Sequence, residues 1–476
     1  MRIGIPNVPE RLRIKRVAQK CLETNLETNL ETNLETKKWM SVHGKVKLIR
    51  ALGWGDITQS GKMPAIAPVP NSNLPFPVTF RSLNQRNYRI WAGGAIVSNV
   101  GTWMQRVAQD WLVLTQLTHH SAAAVGIIMS LQFGPQFLLL PVTGFAADHF
   151  NRRWLLFATQ AASGVLALIL GLLSIGGMVQ LWHVYLLAFL LGCVSAFDTP
   201  ARQTFVSDLV GETDLPNAVA LNSTSFNAAR MIGPAIAGLV IEWTGCGWAF
   251  ILNGLSYLAV LVSLLMLDAS GLHPIDRPDA VNSRLLEGFH YVARHPNLQL
   301  ALWMMFFIST FGINFPIFIS TMDVDAFHAD AQTYGILSSI MAVGSVAGAL
   351  MAAHRSTPSI RLLAMAAAGF AISMCLAAIM PGLFSFGMVL MAVGISTQTF
   401  MTSTNSLVQL TTESAMRGRV IAILFAIAMG STPLGAPLMG WIADQFGPRI
   451  AMFAGGTSGL FALLSVFVYR KHLKQA

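Results

Sequence analysis

Charge is what this chain has least of. Asp, Glu, Lys and Arg make up 11% of its 476 residues, less than half of the roughly 25% found in an average soluble domain. That scarcity excludes a protein whose surface faces water on all sides. Hydrophobic residues reach 54%, so lipid is the solvent that fits most of the chain. Cysteine is also sparse. Cys21, Cys193, Cys246 and Cys375 are scattered without metal-ligand spacing, which argues against a metal centre or a disulfide framework and leaves small buried apolar side chains. No H-E-x-x-H zinc motif, nucleophile elbow, P-loop or nucleotide-binding unit occurs, so neither catalysis nor direct drive by ATP is expected and no cofactor is implied. The beginning of the chain also lacks the charged segment and short apolar stretch of a cleaved secretory signal.

What the chain has in abundance is long apolar runs. They recur from about Tyr88 to Tyr469 at lengths near the roughly 20 residues that cross a bilayer. They predict twelve helices, over 88–115, 122–147, 154–176, 181–199, 219–242, 247–267, 299–322, 333–353, 361–380, 384–404, 420–443 and 449–469. A transmembrane barrel would need short alternating segments, and continuous runs such as Val165 to Leu173 exclude it. Lys and Arg then set the orientation. Arg152, Arg153, Arg202, Arg277, Arg284, Arg294, Arg355, Arg361, Arg417 and Arg419 fall on one side with Arg470, Lys471 and Lys474, whereas the opposite loops hold Arg449 and little else. Both termini are therefore expected to face the cytoplasm. The formal charge of +9 reports this bias, so no nucleic-acid partner is needed to explain it.

The chain also repeats itself. Pro141 to Arg153, with Gly144, Ala147, Asp148 and Phe150, returns as Pro437 to Arg449, with Gly440, Ala443, Asp444 and Phe446. At a spacing of 202 residues, Gly233, Gly238, Glu242 and Gly245 align with Gly435, Gly440, Asp444 and Gly447. With the termini inside, the second helix ends at the cytoplasm near Asp148 and the eleventh at the outer face near Asp444. The same pattern in opposite orientations is the mark of inverted three-helix repeats nested in two six-helix halves, as found in transporters. The halves span 80–267 and 299–469, joined by a cytoplasmic connector, 268–298, whose Leu286, Phe289 and Val292 predict a short helix on the membrane surface or against the bundle. A tail covers 470–476. Residues 1–79 are polar, carry a tandem Leu-Glu-Thr-Asn repeat from Leu22 to Thr36, and predict disorder. One reading puts the true start at Met40 or Met63; recovery of Met1 or Arg2 on sequencing the native N-terminus would exclude it.

From Phe80 onward the chain resembles the major facilitator superfamily. Gly144-Phe-Ala-Ala-Asp148-His149-Phe-Asn151-Arg152-Arg153 is similar to that superfamily's G-x-x-x-D-[RK]-x-G-[RK]-[RK] loop, departing at His149 and Asn151. Gly233-Pro234-Ala-Ile-Ala-Gly238 resembles its antiporter-associated Gly-Pro element. The runs Arg86 to Trp91, Gly101 to Gln105, Ala196 to Gln203 and Asn217 to Ser223 resemble the branch of enterobactin exporters and macrolide-efflux-like permeases. The resemblance implies a secondary active transporter in the bacterial cytoplasmic membrane, monomeric, with protons as coupling ion and a small-molecule substrate. It also implies that Asp148 latches the two halves near the eleventh helix while the loop's base pairs an acid ending the fourth, here Asp198, itself spaced i,i+4 from Arg202. Local surface charge is the plainer reading of the same group. Gly233, Gly238, Gly435 and Gly440 admit close helix packing, and Pro234 and Pro437 can bend their helices; packing alone and a rocking motion are compatible.

Within the membrane, Asn99, Trp103, Arg106 and Asp110 share one face of the first helix by their spacing of four, three and four. Ionisable groups at that depth face a cavity or a partner, and Arg106 and Asp110 can pair with each other. If the helix ends early, Asp110 lies only near the outer interface. Ser223, Asn227 and Arg230 share a face of the fifth helix, and Gln132, Gln136, Asn314 and Gln398 are further polar groups able to line a cavity or to bridge helices. The expected protein is an all-α proton-coupled exporter of a siderophore or lipophilic drug, with Asp110 as the titrating group. A lipid or lysolipid flippase, an importer and a non-transporting sensor are the alternatives. Asp148→Asn is expected to reduce transport without abolishing membrane insertion, and unchanged transport by an equal amount of inserted protein would refute the latch.

Overall fold

Fourteen helices run in series through the computed structural model, which describes residues 78–139, 142–143, 146, 150–272, 285–354, 359–414 and 416–475. They are α1 (Arg86–Leu112), α2 (Ala122–Leu138), α3 (Arg152–Ile175), α4 (Leu181–Thr244), α5 (Cys246–Leu265), α6 (Leu285–Arg294) and α7 (Pro296–Phe307). Then come α8 (Phe315–Thr321), α9 (Ala331–Ala353), α10 (Ile360–Ala378), α11 (Leu383–Thr411), α12 (Arg417–Gly430), α13 (Thr432–Phe446) and α14 (Pro448–Gln475). The Leu-Glu-Thr-Asn repeat, Gly144 and Asp148 lie outside the described residues. Val78 and Thr79, expected in the polar extension, belong instead to a helical turn, Val78–Asn84, because the Thr79 carbonyl accepts a hydrogen bond from Asn217.

Nine stretches among the described residues are long and apolar enough to cross a membrane. The differences from the expected spans have local causes. α1 forms but carries Arg106 and Asp110 within it, and α2 is described for only 17 residues. The fourth and fifth spans are one 64-residue run, α4, helical except at Gly211 (φ 69°, ψ −179°). At 1.5 Å per residue that run is about three times the roughly 30 Å hydrocarbon core, so the glycine, at a φ that side chains disfavour, is where it changes direction. The seventh span is α7 and α8 with two π-helical turns, each closed by an i→i+5 bond, Ile313 to Ile308 and Phe327 to Met322. The eleventh is α12 and α13 meeting at Ser431, where Pro433 opens the second segment.

Lipid offers no hydrophobic force between helices, so close backbone approach holds them together. Two crossings show it. Gly238 lies against Ala331 and Gln332 while Gly335 lies against Pro234, which brings α4 onto the start of α9. Gly440 lies against Ala122 and Ala123 while Gly126 lies against Ala436 and Pro437, which brings α13 onto the start of α2. In each crossing the second glycine stands four residues into its helix, one turn from the first contact. Gly233 meets Trp103 and Val100 on α1, and Gly435 meets the Thr310 carbonyl.

The aligned repeat positions also share local structure. Gly245 and Gly447 end α4 and α13 with nearly the same dihedrals, φ 86° and ψ 167° against φ 87° and ψ 163°. Arg153 donates to the carbonyls of Leu264 and Leu265 at the end of α5, and Arg449 to those of Ala378 and Met380 at the end of α10. Each arginine places its charge on the negative end of a helix. The connector helix α6 docks on the bundle through Glu287 and Arg419, 2.6 Å apart. Val292 is buried but Phe289 is exposed, so the expected apolar stripe does not face inward as a whole.

Gly447→Ala is expected to lower the thermal midpoint in detergent only modestly, because nothing lies within 4 Å and the cost is backbone strain of about 1–3 kcal/mol. Gly435→Ala would drive a methyl into the Thr310 carbonyl and is expected to leave little folded protein. Equal recovery and equal melting of the two variants would refute the packing role of Gly435.

Candidate functional site

The structure divides the polar stripe of α1 among three partners. Asn99, nearest the start, accepts from Arg202 on α4 at 3.4 Å. One turn on, Trp103 lies under two guanidinium groups, that of Arg106 at 4.8 Å and that of Arg230 on α4 at 5.9 Å from the ring centre. Arg106 also lies over Phe133 of α2. Arg230 donates to Ser345 of α9 at 2.9 Å, a contact from the first half of the chain to the second. Asn227 turns its amide back onto the Ser223 carbonyl of its own helix.

Asp110 is 7% exposed and lies two residues before the end of α1 at Leu112. It makes no salt bridge with Arg106, one turn away. Its carboxylate accepts instead from the Tyr334 hydroxyl of α9 at 3.1 Å, and Tyr334 stacks on Trp111. This is another contact that joins the two halves through polar atoms.

At the other end of the bundle, Asp198 and Arg202 form the expected i,i+4 pair at 3.0 Å. Thr159 and Gln160 of α3 also donate to Asp198. Arg152 does not reach this acid. It bonds both carboxylate oxygens of Asp208, at 2.7 and 2.8 Å. The reason is the continuation of α4: ten further residues at 1.5 Å each carry Asp208 roughly 15 Å beyond Asp198, to the level at which α3 begins. Gly144 and Asp148, the remaining latch residues, lie outside the described residues. Gly233, Pro234, Gly238, Gly435, Pro437 and Gly440 lie in the helix crossings, at contact with neighbouring backbone.

Several polar residues escaped the sequence reading. Asp323 is fully buried in the π-helical turn after α8, and neither of its carboxylate oxygens has a hydrogen-bond partner. An acid in an apolar run was itself the available signal, lost because the span was drawn to end one residue earlier. Gln105 and Gln109 lie on the flank of the stripe on α1 and were passed over. The Gln105 carbonyl oxygen accepts from Asn253 of α5 at 2.5 Å, whereas the Gln109 amide nitrogen is unpartnered at 2% exposure. With Arg106, Gln132 and Gln136 these groups line a recess between α1, α2, α4 and α5. Asp444 accepts from the Ser121 hydroxyl and the Ala122 and Ala123 amides, which caps α2. The corresponding α9 is capped by its own Asp330, whose bonds from Thr333 hold that carboxyl below the usual carboxylate range. No cluster of His, Cys, Asp or Glu suited to a metal occurs among the described residues.

Residues 78–476 match the family model described as transmembrane secretion effector. Among curated proteins, the chain is 25% identical to the staphyloferrin A transporter of Staphylococcus aureus over 381 residues, covering 78% of this chain and 94% of that one. It is 26% identical to the enterobactin exporter EntS of Escherichia coli K12 over 377 residues, covering 76% and 88%. Of solved structures, a bacterial homolog of the human lysosomal transporter Spinster, inward-facing and unoccupied, superposes with a TM-score of 0.67 at 14% identity, over 84% of this chain and 99% of that one. The nucleoside transporter NupG does so with 0.67 at 12%, over 81% and 99%. These structures share the fold. The chain belongs to the transmembrane secretion effector family of major facilitator proteins.

Proposed function

We propose that the protein is a proton-coupled exporter of a siderophore-like organic compound that works by alternating access. The reading includes twelve membrane-spanning helices in two halves with nested inverted repeats, both termini in the cytoplasm, a bacterial cytoplasmic membrane and a monomer. The observation that carries the mechanism is the hydrogen bond from Tyr334 of the second half to the buried carboxylate of Asp110 in the first. A group that can take up a proton and also touches both halves can couple its charge to their relative position.

The coupling works through charge balance. Ionised, Asp110 accepts from Tyr334 and attracts Arg106 one helical turn away. Protonated, it no longer offsets the Arg106 charge, and the preference between the two arrangements changes. Asp323, buried without a partner, is a second carboxylate available to protons on the other half. Asp444 on the α2 terminus supports a closed contact on the outer face, which an outward-open state would have to break. Asp148, on the same sequence pattern, would do the converse at the cytoplasmic face. The relatives that transport staphyloferrin A and enterobactin suggest the cargo class.

In proteoliposomes with an imposed pH gradient, one member of a panel of siderophores, macrolides and lipophilic cations is expected to move against its gradient. Asp110→Asn is expected to abolish the dependence on pH difference while leaving the protein folded. Gradient-driven movement that survives Asp110→Asn would remove Asp110 from the coupling step.

A further inference from the structure

The recess on the inner side of α1 has a composition that selects its ligand. Its lining carries one charged side chain, Arg106, and no carboxylate. Around that charge stand the amides of Gln105, Gln109, Gln132, Gln136 and Asn253. Arg106 makes no hydrogen bond or ion pair with any described residue; its contacts are the rings of Trp103 and Phe133. By contrast Arg152 is paired with Asp208, Arg202 with Asp198 and Arg449 with two carbonyls. A guanidinium held on aromatic faces in lipid, with its donors unused, is poised for an acceptor from outside the chain.

Gln109 supplies an independent observation. Its side chain is 2% exposed and its amide nitrogen is unpartnered, a costly state for a buried donor. It lines the same recess, one turn from Gln105, whose carbonyl oxygen is already occupied by Asn253. Arg106 offers donors only, and the Gln109 amide adds an unpartnered N–H beside it. Arg230 adds a second positive charge beside Trp103. A cation would meet repulsion here and gain no acid. A purely apolar drug would leave both donors unsatisfied.

We propose that this recess is a binding site for an organic anion rich in oxygen, held by carboxylate or catecholate oxygens on Arg106 and Gln109, with the remaining amides meeting its neutral hydroxyl or carbonyl groups. Trp103 lies against the planar guanidinium, whose N–H donors remain free for a two-pronged bond to the anion. The assignment names the cargo chemistry of the exporter reading and rests on that reading only for the word cargo; the binding site stands on the recess itself.

Calorimetric titration of the purified full-length protein in lipid nanodiscs tests it, with citrate and 2,3-dihydroxybenzoate as anionic probes and tetraphenylphosphonium as a cationic one. At least one anion is expected to bind and the cation not to. Arg106→Gln is expected to weaken the anion at least tenfold and Gln109→Leu several-fold, while Arg106→Lys, which keeps the charge, retains part of the affinity and shows that the helix bundle is intact. Binding of the cation alone, binding of neither class, or anion binding indifferent to Arg106→Gln would each overturn the site. Anion binding lost in Arg106→Gln, with no transport of any anionic cargo in proteoliposomes, would uphold the recess and refute the exporter reading.

Discussion

Close approach of helix backbones is the constraint on which the rest of this structure depends. In lipid, apolar side chains gain nothing by leaving the solvent for one another, and what binds helices is contact at short range and the hydrogen bonds that contact permits. The crossings of α4 with α9 and of α13 with α2 supply that contact through glycines set against carbonyl groups. Large apolar side chains can then point outward into lipid, as Trp243, Phe384 and Phe467 do. The polar groups that water would otherwise hold are left between the helices, where each must find a partner.

Most of them do, and the partners reveal a division of labour among the charges. Arginines at helix starts settle on carbonyls at helix ends, a placement that costs no second charge and secures neighbouring helices. Arg152 and Arg202 take carboxylates of α4. The exceptions lie deeper. Arg106, Gln109 and Asp323 keep unused hydrogen-bonding capacity in surroundings where that is expensive. A fold under no demand but stability would favour apolar groups at such places. For an anionic cargo, an inside-negative potential would itself favour export by about 2.3 kcal/mol per charge for each 100 mV.

How far the site was legible in the sequence differs from residue to residue. The spacing of Trp103, Arg106 and Asp110 places them on one helix face, and the buried α1 keeps that face among other helices. The partners of these residues were not legible. Tyr334 lies 224 positions from Asp110 and Ser345 lies 115 from Arg230, and no local pattern ties residues so far apart. Arg152 has a partner other than the one the family resemblance implied for the loop's base. The resemblance implied Asp198 as the acid ending the fourth helix, but α4 continues through Pro200 and presents Asp208 to Arg152. Proline at that place still permits helix in a membrane protein, where neighbouring helices and hydroxyl groups satisfy the freed backbone.

The sequence by itself determined that this chain lives in lipid, that it is helical and that it contains a repeated pattern, because hydropathy, spacing and identity are properties of neighbours along the chain. It also marked the glycines of the repeat as places where bulk is absent. Only the tertiary structure decided what fills the space that absence leaves, which acids and bases meet, and that Arg106 and Gln109 share a recess without partners. Those facts depend on the distances between helices far apart in sequence, which packing in the bundle sets and no local periodicity encodes.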